Sequence, residues 1–219
     1  MPSDSAGFFE ERFQVRDRFR KTFVDGHDVP TYATALFYCF GGLTTLSFSV
    51  QVVTGALLLL YYVPDADKAY QSVHYISHVV PYGWLFRGLH FLCANAMVVM
   101  VFLHTGRVFY TGSYRKPREL MWVSGASALL MTMTMAFTGY LLKWDQIAYW
   151  GMTAVTGLIA YLPGIGAPVR QILLGGDTVS GATLSRFFAL HVAIVPGFLI
   201  ILLVMHFWMI RKQSISRPL

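Results

Sequence analysis

Four histidines lie inside the most apolar stretches of the chain, where an ionisable side chain is costly to hold. His90 and His104 are fourteen residues apart in one stretch, and His191 and His206 are fifteen apart in another. At about 100° per residue, fourteen residues fall roughly 40° short of four helical turns and fifteen overshoot by roughly 60°. Each pair therefore lies on one face of a helix. Neutral imidazoles in this arrangement are typical metal ligands.

The elements that carry these histidines are predicted to cross a membrane. Of the 219 residues, 55% are hydrophobic and 13% are charged, a balance outside that of soluble globular domains. Four stretches are long and apolar enough to span about 30 Å of hydrocarbon as helices. These spans, named A to D, cover residues 36–61, 85–110, 121–142 and 187–209. The sequence predicts one all-α domain over residues 1–219, built as a four-transmembrane-helix bundle.

Positive charge is concentrated on one predicted side of this bundle. Lys and Arg number five in the arm before span A, four in the B to C loop from Arg107 onward and three in the C-terminal tail, twelve of seventeen in all. By the positive-inside rule these segments face the cytoplasm or its equivalent, which requires an even number of spans. The net charge of +6 is therefore assigned to membrane orientation, and no nucleic-acid partner is expected.

The segments between the spans have their own patterns. Residues 8–23 place five phenylalanines among charged residues, which predicts an N-terminal interfacial helix or, as readily, a solvated arm. The polar segment between A and B predicts a short surface helix. About forty-five residues separate C from D, and their apolar patches are interrupted by Pro163, Gly164 and Pro168. This pattern indicates short surface helices in the interface, because irregular backbone is not tolerated in open lipid.

The histidines of spans B and D are predicted to face each other. Both spans follow an outer loop and run in the same direction, so His90 is level with His191 and His104 with His206. An imidazole on each side of a flat metal centre is what a bis-histidine haem requires, and bundle cores hold such cofactors. The pattern predicts two haems about 20 Å apart along the membrane normal, which is an electron path across the bilayer.

Two further patterns favour haem over a bare metal ion. Glycines repeat the fourteen-residue interval in spans A and C: Gly41 and Gly55, then Gly125 and Gly139. Glycine lets a flat surface such as a porphyrin approach the helix backbone. Arg87 and Arg107 each lie three residues from a histidine of span B, where they could pair with haem propionates. Each feature alone is more common in helix packing and snorkelling, but the matched periods favour haem.

At the level of motifs, the chain resembles the cytochrome b family, specifically its short, four-span b6 type. The likeness covers nearly the whole chain and includes "FYCFGGLTTLSFSVQVVTG", "YRKPRELMWVSG", "GYLLKWDQIAYW" and "TLSRFFALHVAIVP". The resemblance implies that His90 and His191 ligate a low-potential b-type haem nearer the outer side. It implies that His104 and His206 ligate a high-potential b-type haem nearer the inside.

The resemblance also gives Cys39 and Arg211 expected roles. There is no CxxCH motif for ordinary c-type attachment. In the b6 type, the cysteine of "FYCFGG" forms a single thioether to a third, c-type haem beside the inner b haem. Cys39 is expected to do the same here, with a buried packing cysteine as the alternative, and Arg211 is expected near a propionate.

The function implied by the resemblance is that of the core subunit of a proton-translocating quinol:electron acceptor oxidoreductase running a Q cycle. The expected partners are a subunit IV-like three-helix protein, a Rieske iron-sulfur protein and a c-type cytochrome of the f or c1 kind, in a homodimer of such complexes. The complex would lie in a bacterial cytoplasmic or thylakoid-type membrane, with both termini on the cytoplasmic or stromal side.

The quinol pocket is expected at the end of span C. Its candidate wall residues are Tyr140, Trp144, Tyr149 and Met152, although interfacial aromatic residues would give the same pattern. One departure from the family is visible here. Lys143 stands where members commonly have a proline that would fix the backbone at the end of the span. The pocket is therefore expected to be shaped or gated differently.

Two other classes of protein remain open at this point. The dihaem membrane anchor of another respiratory dehydrogenase or reductase also holds bis-histidine haems, but it would lack "FYCFGG" and the long apolar C to D loop. A proton-coupled transporter would use intramembrane histidines to relay protons and would contain no haem.

Overall fold

Helices account for all of the regular structure in the computed structural model, which describes residues 36–214, with side chains from residue 38 onward. The helices are α1 Leu36–Leu59, α2 Ala69–His78, α3 Gly83–Tyr110, α4 Glu119–Leu141, α5 Gln146–Ala160, α6 Gly166–Leu174, α7 Gly181–Ala189 and α8 Val195–Gln213. The all-α prediction is confirmed. The predicted N-terminal interfacial helix lies outside the described residues.

Four helical segments are long and apolar enough to cross a bilayer, as predicted. They are Tyr38–Leu59, Gly83–Tyr110, Glu119–Leu141 and Gly181–Gln213. The fourth begins before the predicted residue 187, because α7 runs into α8 without a break. Large apolar side chains on the outer faces, such as Phe91 and Val204, are exposed at 70% and 64%. In a bilayer these faces meet lipid or other membrane subunits.

The bundle consists of two closely packed helix pairs, α1 with α3 and α4 with α8. An apolar cluster of one buried side chain from each of these helices joins the two pairs: Phe48, Met97, Ala128 and Leu199. Met97 lies seven residues from both His90 and His104, so this cluster fills the layer between the two histidine levels. We call it the central layer.

A second core lies where the C to D segment folds back on the bundle. The short surface helices predicted there are α5 and α6, and they pack with α7 against the end of α4. Their shared core contains Leu141, Ala148, Met152, Leu174 and Phe187. The Tyr62 hydroxyl fastens this region to the end of α1 by donating to the Leu142 carbonyl at 2.8 Å. Burial raises the pKa of Tyr62, so the phenol stays protonated and remains a donor.

A π-helical turn, Leu190–Ile194, joins α7 to α8 and contains His191. The Val195 N–H donates to the Leu190 carbonyl, five residues back instead of four. Pro196 accounts for this position, because its ring crowds the carbonyl four residues earlier and it offers no N–H of its own. The turn absorbs one residue. The fifteen-residue interval from His191 to His206 therefore presents its histidines as a fourteen-residue interval would.

Candidate functional site

The bundle interior brings the four intramembrane histidines together in two pairs. The ring centroids of His90 and His191 are 6.3 Å apart, with an angle of 76° between the ring planes. Those of His104 and His206 are 6.5 Å apart, with an angle of 82°. Both pairs join α3 to the fourth span, at two levels on either side of the central layer.

The separation within each pair fits a metal atom between the rings. Two metal–nitrogen bonds of about 2.0–2.1 Å, added to the distance from each nitrogen to its ring centre, give roughly 6.3 Å between centroids. In the part of the chain that the structure describes, no group of three or more His, Cys, Asp or Glu side chains could hold a metal ion. A bare ion generally needs three or four protein ligands, whereas haem iron needs only two beyond its porphyrin. The donor set therefore fits haem.

Three of the four rings are anchored by a hydroxyl at Nδ1. The distances are 2.9 Å from Thr54 to His90, 2.9 Å from Ser124 to His206 and 3.1 Å from Thr138 to His191. Each hydroxyl also donates its hydrogen to a carbonyl of its own helix: Thr54 to Val50, Ser124 to Met121 and Thr138 to Met135. Its oxygen can therefore act only as an acceptor toward the histidine Nδ1–H, and in His206 that N–H also lies 3.1 Å from the Met121 carbonyl. This assigns the Nδ1–H tautomer, which leaves Nε2 as the nitrogen able to bind a metal.

All four periodic glycines lie directly against histidine rings. A Cβ atom built on each would meet a Cε1 atom at 3.0 Å for Gly41 and His104, 3.3 Å for Gly55 and His90, 3.1 Å for Gly125 and His206, and 2.5 Å for Gly139 and His191. The structure places these glycines against the imidazoles, because each ring reaches across to the neighbouring helix. Their predicted contact with a porphyrin face stays a prediction.

The anchoring hydroxyls were missed at the sequence level. Thr54, Ser124 and Thr138 each immediately precede one of the periodic glycines. That juxtaposition was the available signal. Gln51 was missed too: its buried side-chain amide donates to the backbone carbonyl of His90 and so ties α1 to α3. We use the word cradle for each glycine together with the residue that precedes it.

The three predicted propionate-binding arginines lie in different surroundings. Arg107 is buried, and its guanidinium carbon is 4.1 Å from the centroid of the Tyr38 ring. Arg87 is exposed and donates to the Ser77 hydroxyl at 3.1 Å. Arg211 is exposed at the end of α8. Arg107 is thus the one of the three that is built into the bundle, and its role toward a propionate stays a prediction.

Cys39 lies in α1, two residues before Gly41, and its side chain is half-buried. At about 1.5 Å per residue it is roughly 3 Å along the axis from that glycine. The thiol is therefore near the level of His104 and His206. Covalent attachment of a haem there stays a prediction.

The predicted quinol-pocket residues gather at the corner between α4 and α5. Tyr140 and Tyr149 are exposed at 41% and 37%, and Trp144 adopts a positive φ of 52°. Met152 is fully buried in the second core, so it supports this corner from behind and exposes no surface of its own.

An ion pair occupies the position where the family commonly has proline. Lys143 Nζ lies 3.1 Å from Asp145 Oδ2 and 4.2 Å from the centroid of the Tyr140 ring. Asp145 is also the N-cap of α5, because its Oδ1 accepts from the Ala148 N–H at 2.8 Å. Partial burial opposes ionisation, but these hydrogen bonds and the Lys143 charge hold the pKa of Asp145 below its ordinary value.

We expect Asp145→Ala to lower the free energy of unfolding by about 1 kcal/mol at neutral pH, since it removes a helix cap. Lys143→Gln, which removes the ion pair and the cation contact with the Tyr140 ring but keeps the helix cap, should cost less, because partly exposed pairs contribute little. The folded-state pKa of Asp145 is lowered, so its contribution is present above the unfolded pKa and is lost as the pH falls through the folded pKa. Thermal unfolding of the detergent-solubilised protein at several pH values measures this. A difference between wild type and Asp145→Ala that persists unchanged at low pH would contradict it.

The fold and the paired imidazoles together define a class of protein. It is an integral membrane helix bundle with two bis-histidine sites suited to haem.

Comparison with known proteins identifies the family within this class. The family model described as Cytochrome b/b6/petB matches residues 26–214. Cytochrome b6 of Synechococcus sp. (strain CC9605) is 41% identical over 212 residues, covering 97% of this chain and 96% of that protein. Cytochrome b6 of Auxenochlorella protothecoides is 43% identical over 215 residues, covering 97% of each chain.

A solved structure described as hyperthermophilic respiratory Complex III also matches. Its TM-score is 0.79 at 33% sequence identity, and the match covers 97% of this chain. The present chain spans 56% of the length of that chain. The protein belongs to the cytochrome b/b6 family and is a membrane protein that binds b-type haem.

Proposed function

We propose that this chain is the haem-bearing core subunit of a quinol oxidoreductase and carries electrons from quinol oxidation at one membrane face to quinone reduction at the other. The observation that carries the proposal is the presence of two imidazole pairs at two depths of one bundle. Fourteen residues of α3 separate His90 from His104, which is about 21 Å along the helix axis. That distance is most of the ~30 Å thickness of the hydrocarbon core.

Residues of this chain have three roles: they bind the haems, orient the imidazoles and keep water out of the space between the two sites. His90 and His191 hold one haem and His104 and His206 the other, and each bound haem supplies reversible one-electron chemistry. The cradles fix the imidazole orientation through hydroxyls and close backbone contact. The apolar central layer keeps water out of the space between the two levels. Electrons can then pass between the two haem sites, whereas protons have no water-filled path across this layer.

In the proposed Q cycle, a quinol gives up two electrons and two protons at the outer face. One electron leaves for a Rieske iron-sulfur protein. The other crosses the bundle from the His90 and His191 level to the His104 and His206 level. Two such crossings, with two protons taken up from the inside, reduce one quinone to quinol. The quinol pocket at the outer face is assigned to Tyr140, Trp144 and Tyr149, with Met152 behind them. The family resemblance and the exposed aromatic surface at this corner support that assignment.

The proposed assembly contains a subunit IV-like three-helix protein, a Rieske protein and a c-type cytochrome, and it forms a homodimer. Exposed apolar faces on α3 and α8, including Phe91 and Phe198, offer the membrane-embedded surface that such neighbours would cover. Both termini are assigned to the cytoplasmic or stromal side, because the basic residues of the arm, the B to C loop and the tail favour that orientation. Propionate contacts are assigned to Arg87, Arg107 and Arg211.

Haem analysis of the purified protein tests the proposal and the covalent haem at Cys39 together. We expect two non-covalent b-type haems per chain in reduced-minus-oxidised spectra. We also expect a haem stain that stays with the chain on denaturing electrophoresis, since a thioether survives denaturation. Cys39→Ser should lose the stain and keep both b-type haems. Cys93→Ser, which changes the half-buried cysteine of α3, is the matched control and should keep all three haems.

The outcomes separate the alternatives. Protein with two b-type haems but no stained band would remove the role of Cys39 and leave the electron path through the two histidine pairs intact. Colourless protein with intact helices would overturn the proposal and favour a proton-coupled transporter.

A further inference from the structure

The four cradles differ in one respect. The residue before the glycine carries a hydroxyl in three of them. In the fourth it is Phe40, which precedes the Gly41 that lies against the His104 ring. The His90 and His191 pair therefore has two hydroxyl acceptors, Thr54 and Thr138. Among the residues that the structure describes, the His104 and His206 pair has one, Ser124.

These hydroxyls are strongly constrained acceptors. Thr54, Ser124 and Thr138 are only 3%, 5% and 1% exposed, so water does not compete for them. Each hydroxyl hydrogen is already directed to a carbonyl of its own helix. The oxygen lone pairs are thus held toward Nδ1–H by the helix itself, and the contact does not depend on rotation of a mobile side chain.

An acceptor at Nδ1–H makes the imidazole a better electron donor through Nε2. A stronger donor stabilises the oxidised iron relative to the reduced iron, which carries one electron more. At fixed surroundings, each added acceptor should therefore lower the reduction potential of the site.

We propose that the unequal distribution of hydroxyls over the cradles is a cause of the difference in reduction potential between the two sites. Thr54 and Thr138 lower the potential of the His90 and His191 site. Phe40 withholds the corresponding acceptor from the His104 and His206 site. This difference favours transfer of one electron from the His90 and His191 site, which becomes oxidised, to the His104 and His206 site, which becomes reduced. The family resemblance implies which site has the lower potential, and the structure assigns the residues that act as positioning groups. The inference rests on the proposed haem occupancy.

Redox titration of the purified protein with dithionite and ferricyanide, followed in the visible spectrum, tests this. Thr54→Val and Thr138→Val should each raise the potential of the lower-potential site, changing its one-electron equilibrium constant by roughly threefold to tenfold, the net contribution of one hydrogen bond. A tenfold change is 59 mV for one electron. Thr132→Val is the matched control: Thr132 lies buried in α4, donates to the Ala128 carbonyl and forms no hydrogen bond with a histidine among the described residues. It should move neither potential.

Changes at the other site give the reciprocal test. Ser124→Ala should raise the potential of the higher-potential site. Phe40→Ser, which supplies the missing hydroxyl, should lower it relative to Phe40→Ala, which has the same loss of ring volume. This second pair decides the question if a threonine variant fails to retain haem.

The results distinguish this inference from the function on which it rests. Two titrating bands whose midpoints move in the predicted directions support it. Two bands that stay within twofold of wild type in Ser124→Ala, and that do not separate Phe40→Ser from Phe40→Ala, overturn it and leave the proposed function intact. No titrating band in the wild type overturns both.

Discussion

Deletion of Ala193 is expected to leave both haem sites intact, whereas deletion of Ile200 is expected to abolish binding at His104 and His206. Both residues are exposed and lie between His191 and His206. Ala193 belongs to the π turn, where removing one residue restores the ordinary four-residue hydrogen bond and leaves the rest of α8 in place. Ile200 belongs to regular helix, where the same deletion rotates everything beyond it by about 100°.

Straightening the π turn would not restore the site in the Ile200 deletion without a large loss of stability. That change would return His206 to its level, but it would rotate the segment between the turn and the deletion. Val195 and Leu199 are 5% and 1% exposed, and they would leave the core. Burying an apolar side chain of this size contributes about 1.5–3 kcal/mol, so the loss is substantial.

Haem content per chain, measured from reduced-minus-oxidised spectra, checks the pair of deletions. Loss of the His104 and His206 site in the Ala193 deletion would show that the π turn has a structural role beyond absorbing one residue. Full occupancy in the Ile200 deletion would show that the rest of α8 does not fix the orientation of His206. Either result would contradict the account of the fifteen-residue interval.

The second large effect is expected at Gly139. Gly139→Ala should remove the haem held by His90 and His191, because the new Cβ would lie 2.5 Å from His191 Cε1. The ring cannot withdraw without breaking its Thr138 hydrogen bond and changing the 6.3 Å spacing to His90. Gly41→Ala, Gly125→Ala and Gly55→Ala should have progressively smaller effects, in the order of their distances of 3.0, 3.1 and 3.3 Å.

Gly42→Ala is the matched control for this series. Gly42 is adjacent to Gly41 in α1, but a Cβ there meets nothing within 4 Å. In open helix, alanine is more favourable than glycine by roughly 0.5–1 kcal/mol, so this variant should keep both haems and unfold no more easily. Haem content and thermal unfolding measure the two effects separately. Full haem occupancy in Gly139→Ala would contradict the cradle geometry.

The amino-acid sequence alone determined the membrane bundle and its intramembrane histidines. Hydropathy and length specify four spans, since each span depends on its own composition and on the thickness of the bilayer. The helical period places His90 with His104 and Gly125 with Gly139 on common faces, because that relation is contained within one helix. These features are local, and local rules suffice for them.

Only the tertiary structure decided what each histidine ring touches. That Thr54 accepts from His90, and that Gly139 lies under His191, depends on which helix packs beside which and on how far each ring reaches. The π turn that brings His191 into register is likewise invisible to a count of residues at a constant angle, since the angle changes inside it. Contacts between elements distant in sequence depend on the packing of the whole bundle, and no single segment of the chain specifies them.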